Sequence, residues 1–73
     1  MDPNENFRQN VIYLRKTHGL TQRQMAQILG IGTGTLGRLE AGKVVRMNGG
    51  MLIRLCDYFD LSADNCLRKL PEA

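Results

Sequence analysis

Apolar residues recur along most of the chain at the three- and four-residue spacing that places them on one face of an α-helix. In the first segment this stripe consists of Phe7, Val11 and Leu14. Residues 2–5, Asp-Pro-Asn-Glu, supply an N-cap, a proline at the first helical position and an early glutamate. The pattern predicts a first helix that begins at this proline and is ended by Gly19, because glycine readily adopts the left-handed conformation of a helix end.

Two short helices joined by a tight turn are predicted next. Thr21–Gln24 is a capping box that opens the second helix, and Gly30 ends that helix. The third helix begins near Thr33 and stops at Gly42. The residues expected to face inward are Met25, Ile28 and Leu29 in the second helix and Leu36 and Leu39 in the third.

The rest of the chain predicts two more helices, one capped by Asn48 and a short one that runs from Ser62 to Pro71. Their apolar residues are Leu52, Ile53, Leu55, Cys56 and Phe59 in the fourth helix and Cys66, Leu67 and Leu70 in the fifth. Segments with the alternating pattern of a strand are absent from the sequence. The predicted fold class is therefore all-α, with five helices.

The length of 73 residues allows one small domain, 1–73, with a marginal core and flexible ends at about 1–4 and 71–73. The longest uninterrupted aliphatic or aromatic run is Val11–Leu14, which is far too short to span a membrane. No basic start is followed by an apolar stretch, so no secretory signal is expected and the default compartment is the cytoplasm.

Charge is distributed unevenly along the chain. Ten Lys and Arg residues against seven Asp and Glu residues give a net charge of +3. The stretch from Arg15 to Arg54 holds seven bases and a single acid, Glu40, and carries +6, whereas residues 1–14 carry −1 and residues 55–73 carry −2. If the fold gathers these bases on one face, nucleic acid is the natural partner. The alternative is a solvated surface with scattered bases.

Candidate metal-binding or catalytic groups are few. Cys56, Cys66 and His18 fit no metal-ligand spacing, so neither a metal nor another cofactor is expected. Two isolated cysteines in a reducing compartment are most often small core residues, and a regulatory disulfide is the minor alternative. A single histidine supports no catalytic arrangement, and the glycines of residues 30–37 lack the flanking features of a phosphate-binding loop. We expect that the protein is not an enzyme.

Two short helices joined by a glycine turn in a basic all-α domain form a helix-turn-helix. The chain resembles the lambda-repressor-like (Cro/XRE-type) family of DNA-binding domains. The matching features are Gly-Leu-Thr-Gln at 19–22, Ala26, Leu-Gly-Ile at 29–31 and Leu-Glu-Ala-Gly-Lys at 39–43, and residues 52–67 are similar to the family's last two helices. The resemblance covers nearly all of the chain from Phe7 to Leu70. It implies a compact five-helix domain with the helix-turn-helix at about 21–42.

The resemblance also implies that the third helix, at about 33–41, reads DNA in the major groove. Phosphate contacts are then expected from Gln22, Arg23, Lys43 and Arg46, and base contacts from Thr33, Gly34, Thr35 and Arg38. Arg38 can fork onto a guanine, and threonine methyl groups can touch thymine. The other interpretation of Gln22 is a neighbour of the capping box on a solvated face.

The predicted recognition face is unusually bare. Family members commonly carry Gln, Ser, Arg or Asn at the positions of Thr33, Gly34 and Gly37. The two interior glycines cost about 1 kcal/mol each in helix stability and give no hydrogen bonds to bases. We therefore expect weaker or less selective recognition than the fold would normally give. The alternative is that a helix of a second copy or of a partner protein packs closely against this face.

Glu40 lies near a helix C-terminus, where the helix dipole disfavours negative charge. The family resemblance points to Arg15 as its partner in a partly buried ion pair that fixes the recognition helix against the first helix. The alternative is a surface glutamate in loose contact with Lys43.

These observations favour a small sequence-specific transcriptional regulator, repressor-like, that binds double-stranded DNA as a symmetric homodimer. Half-sites would lie about 34 Å apart. The alternative function is a protein-interaction module on the same fold, such as an antitoxin or adaptor, with its glycine-rich face bound to a protein partner.

Overall fold

A computed structural model describes residues 3–43 and 48–67, which form five helices and no strand. The helices are α1 (Pro3–Thr17), α2 (Gln22–Leu29), α3 (Thr33–Glu40), α4 (Gly49–Phe59) and α5 (Ala63–Leu67). The predicted all-α fold is confirmed. α2 packs between α3 and α4, whereas α1 packs against α3 and α5, and α4 also contacts α5.

Three helices, α2, α4 and α5, begin at residues whose side chains satisfy one of the first backbone N–H groups. The Gln24 amide N–H donates to Thr21 Oγ1 at 3.1 Å, and the Thr21 N–H donates to Gln24 Oε1 at 2.9 Å, which completes the predicted capping box. Asn48 Oδ1 accepts from the Met51 N–H at 2.8 Å, and Ser62 Oγ accepts similarly at the start of α5. Local sequence therefore determines where α2, α4 and α5 start.

The turn between α2 and α3 depends on Gly30. This residue adopts a left-handed conformation with φ +71°, and its N–H donates back to carbonyl groups of the last turn of α2. A Cβ atom at this position would also lie 2.8 Å from Nε of Arg54, which reaches the turn from α4. Glycine at position 30 thus permits both the abrupt end of α2 and the close approach of the Arg54 side chain.

The core lies where the apolar faces of all five helices meet. The buried apolar residues are Phe7, Val11, Leu14, Met25, Ala26, Leu29, Leu36, Leu39, Met51, Leu55 and Cys66. Ile28, expected to face inward, is partly buried and packs against the edge of this core. Ile53 is 61% exposed, because Met51 and Leu55 define the buried face of α4 and a residue midway between them points away from it.

Some predicted features lie outside the described residues. These are the N-cap Asp2, the phosphate contact Arg46, the end of the fifth helix at Leu70 and Pro71, and the terminal segment 71–73. α1 begins at Pro3, within the segment 1–4 that was expected to be flexible. None of the helices in the described ranges is long and apolar enough to cross a membrane.

Two glycine substitutions should shift stability in opposite directions. Gly30→Ala should lower the free energy of unfolding by about 1–2 kcal/mol, because alanine in the left-handed region is strained. Gly37→Ala should raise it by about 0.5–1 kcal/mol, since position 37 is helical and the nearest atom, 4.0 Å away, leaves room for a methyl group. Urea unfolding of both variants measures the difference. Equal effects of the two substitutions would contradict this account of the turn.

Candidate nucleic-acid interface

α3 turns two leucines into the core and presents its opposite side to solvent. Leu36 and Leu39 are buried. Four residues on the other side are exposed, namely Thr33, Gly34, Arg38 and Ala41. Thr35 and Gly37 are partly buried. Three of the predicted base-contacting residues, Thr33, Gly34 and Arg38, therefore share an accessible face, and Thr35 lies at its edge.

The last residue of α3 is held by an ion pair with α1. The Arg15 guanidinium binds the Glu40 carboxylate through two parallel hydrogen bonds, Nε to Oε2 at 2.7 Å and Nη2 to Oε1 at 2.9 Å. The two side chains are only 17% and 8% exposed. Arg15 also donates to the Leu20 carbonyl at 3.2 Å, which ties the same guanidinium to the connection between α1 and α2. The paired donors and low exposure give this contact a defined geometry.

Two further side chains complete the environment of Glu40. The Gln22 amide donates through Nε2 to Glu40 Oε1 at 3.1 Å, and Arg8 donates through Nη1 to the Glu40 backbone carbonyl at 3.0 Å. The first helical residue of α2 and two arginines of α1 thus meet at the C-terminus of α3. Sequence reasoning missed Arg8 and this use of Gln22. Arg8 and Arg15 are seven residues apart and share a helix face, which was a usable signal.

The hydrogen bond between Gln22 and Glu40 affects the predicted phosphate contact of Gln22. One amide hydrogen is used within the protein, so this side chain is fixed at the start of α2. Gln22 and Arg23 occupy the first turn of α2, where backbone N–H groups have no partner within the helix and attract anions. A phosphate contact by Gln22 stays a prediction, and it would use the backbone N–H or the second amide hydrogen.

Two exposed cations, Arg23 and Lys43, lie near the same junction in sequence. Arg23 directly follows Gln22, and Lys43 follows Glu40 by three residues, so the Gln22–Glu40 contact brings both cations to one end of the α2–α3 pair. The Lys43 N–H donates to the carbonyl of Arg38 at 3.0 Å, which folds the chain back over the end of α3. Arg23, Arg38 and Lys43 are all exposed. Three of the seven bases of the basic stretch are thus exposed on α2, on α3 and just after α3.

The two glycines on this face are not needed for packing within the domain. A Cβ atom on Gly34 would meet nothing within 4 Å, and one on Gly37 would meet only Gln22 Oε1, at 4.0 Å. Each would therefore accommodate alanine. Their small size matters only for what approaches α3 from outside, and the helix backbone is open to close contact there.

Side chains that could bind a metal ion do not cluster in the described part of the chain. Among the described residues, no group of three or more His, Cys, Asp and Glu side chains could hold a metal ion. The His18 ring lies against Phe59 with a centroid distance of 4.9 Å, and its Nδ1 is 2.9 Å from the Leu14 carbonyl oxygen. His18 is thus engaged in packing at the end of α1.

A short helix ended by a left-handed glycine, a tight turn and a second helix with one buried and one open face define a helix-turn-helix. A family model described as a helix-turn-helix domain matches residues 13–68, and the chain belongs to this family. The match agrees with the lambda-repressor-like resemblance of the sequence. Neither the curated proteins nor the solved structures that were compared with the chain gave a match.

Removal of the Arg15 guanidinium should destabilise the domain strongly. Arg15→Ala leaves the Glu40 carboxylate in a partly buried position without its main counter-charge, and we expect a loss of about 3 kcal/mol in the free energy of unfolding. Lys16→Ala is the matched control, because it removes one cation from an adjacent, exposed position of α1. Urea unfolding should show a change within about 0.5 kcal/mol for the control. If Arg15→Ala changed neither stability nor DNA affinity, the ion pair would have no structural role.

Proposed function

We propose that this protein is a small transcriptional regulator that binds double-stranded DNA with α3 in the major groove. The observation that supports this function best is the open face of α3, which carries the exposed Arg38 and is accompanied by the exposed Arg23 of α2 and Lys43 after α3. The same helix is held from behind by buried leucines and by the Glu40 ion pair. A rigid helix with an accessible outer face and a basic border suits insertion between two phosphate backbones.

Phosphate binding would position the domain without specifying sequence. Arg23 and the backbone N–H groups of the first turn of α2 are the proposed contacts on one strand, and Lys43 the contact beyond α3. Arg46, outside the described residues, would extend the same set. Each such contact releases counterions, so affinity falls steeply as salt rises.

Base recognition would depend on few groups. Arg38 supplies the long donor side chain on the exposed face of α3, and its guanidinium can bind the two acceptors of a guanine. Thr33 and Thr35 offer methyl groups to thymine. Gly34 allows the backbone to approach the base edges closely, and Gly32 at the N-cap has no side chain to cover the first N–H groups of α3. The proposed sequence recognition therefore depends on few contacts, and only Arg38 gives a strong preference for one base.

So few base contacts favour two copies on one operator. A symmetric homodimer would double them, with half-sites about 34 Å apart along the duplex. The proposed activity involves neither a cofactor nor catalysis. The proposed location is the cytoplasm, because a cell without a nucleus keeps its DNA there.

The open face of α3 supports a second candidate function. A helix of a protein partner could pack against Gly34 and Gly37 as closely as DNA could, because nothing within the domain occupies that space. The protein would then be an interaction module, such as an antitoxin or adaptor. We favour DNA because the border of the face is basic.

Arg38→Ala and Lys43→Ala remove one charge each and should affect binding differently. Selection of bound duplexes from a random DNA pool, followed by affinity measurements over a range of salt concentrations, tests both. Arg38→Ala should abolish the preference at one base pair, a loss of about 1–3 kcal/mol in discrimination. Lys43→Ala should weaken binding to all sequences and reduce the slope of log affinity against log salt by about 1.

Each outcome of the selection has a distinct meaning. An enriched inverted repeat supports a dimeric sequence-specific regulator. Binding without enrichment would reduce the proposal to nonspecific phosphate binding. Failure to retain any duplex, with the wild-type protein folded, would refute DNA binding and leave the protein-interaction module.

A further inference from the structure

The two cysteines of the chain meet at the contact between α4 and α5. Cys56 lies on α4 and Cys66 on α5, both are free thiols, and their Sγ atoms are 2.8 Å apart. A disulfide bond is about 2.05 Å long, so a shift of less than about 1 Å joins the two sulfurs. The cysteines are ten positions apart in sequence, and the packing of α4 against α5 brings them together.

The two thiols differ in burial, and this difference determines which of them meets an oxidant first. Cys66 is fully buried in the core, whereas Cys56 is partly exposed at its edge. Burial, together with the neighbouring Cys56 thiol, raises the pKa of Cys66 to about 12. A small oxidant in solution therefore meets Cys56 first, and Cys66 lies behind it as an internal thiol.

We propose that Cys56 and Cys66 form a thiol-oxidation site, at which a hydroperoxide converts the pair into an intramolecular disulfide between α4 and α5. This site goes beyond DNA binding and does not depend on it. Hydroperoxides react with thiols in general, and the form of the thiol that reacts is the thiolate.

The reaction balances in two steps. The Cys56 thiolate attacks one oxygen of hydrogen peroxide, the O–O bond breaks, and after protonation the products are a sulfenic acid and water. Cys66 Sγ then attacks the Cys56 sulfur, the S–O bond breaks, and the hydroxide that leaves takes up the Cys66 proton as a second water. The two sulfurs together lose two electrons, and the peroxide gains them.

The disulfide should stabilise the domain and leave its helices in place. α5 packs against α1 as well as α4, and the Asn10 amide on α1 donates to the Cys66 carbonyl at 2.9 Å. A bond between sulfurs that already touch preserves these contacts, while it restricts the unfolded chain. We expect the melting temperature of the oxidised protein to exceed that of the reduced protein by about 10 °C.

Treatment of the full chain with hydrogen peroxide, followed by mass measurement of the denatured protein, tests the proposal directly. The expected product is two hydrogen atoms lighter than the starting chain and contains a proteolytic fragment in which Cys56 and Cys66 are linked. Reductant should restore the original mass and melting temperature. Cys56→Ser is the matched control, because it preserves the buried Cys66 and should give neither the linked fragment nor the rise in melting temperature.

Any other product at the two cysteines would overturn the proposal. A sulfinic or sulfonic acid at Cys56 without a link would mean that Cys66 does not react with the sulfenic acid. A disulfide between two chains would mean that the internal pair is not the favoured partner. An unchanged mass under peroxide concentrations that oxidise a free thiol in a short peptide would mean that Cys56 is not accessible.

The pH dependence of the second step provides a separate measurement. Burial keeps the pKa of the Cys66 thiol raised, so its thiolate fraction rises between pH 7 and pH 9. The Cys56 sulfenic acid should therefore persist longer at pH 7 than at pH 9, and a sulfenic-acid trapping reagent should capture a larger share of the oxidised chains at the lower pH. An equal or larger captured share at pH 9 would contradict the role of Cys66.

Discussion

The geometry of the helix-turn-helix depends on the ion pair and hydrogen bonds of the Glu40 carboxylate. Arg15 neutralises it through two hydrogen bonds, and Gln22 binds the same carboxylate from the start of α2. A negative charge at a helix C-terminus is unfavourable by itself, so the carboxylate is stable there only because the guanidinium is present. The hydrogen bonds of these ordered side chains fix the positions of α1, α2 and α3 relative to one another. The orientation of the open face of α3 is therefore set by contacts with α1 and α2 on the opposite side of the helix and at its end.

Much of this fold follows from local signals in the sequence. Helical spacing predicts all five helices, and Thr21, Asn48 and Ser62 cap helices as expected. Local signals do not determine which residues of different helices meet. The contact of Gln22 with Glu40 and the approach of Cys56 to Cys66 join residues whose proximity depends on how helices pack, and periodicity carries no information about that. The ion pair of Glu40 could be expected only through the family resemblance.

The glycines of α3 show a balance between stability and access. Alanine at positions 34 and 37 would favour the helix, and the structure has room for it. The chain therefore accepts a less stable helix in exchange for an outer face with little side-chain volume. That loss is tolerable because α3 does not form by propensity alone: Leu36 and Leu39 bury it, and Glu40 fixes its end. Tertiary contacts thus compensate for the low helix propensity of the two glycines.

The thiol pair and the ion pair are connected through α1. α5, which carries Cys66, packs against α1, and α1 in turn carries the arginines that hold the end of α3. In a domain of this size the core is small, so an opening at one helix contact weakens the others. A bond between α4 and α5 would keep α5 in place on α1 during such an opening. Oxidation at the thiol pair would thus preserve the support of α3 without any contact with its open face.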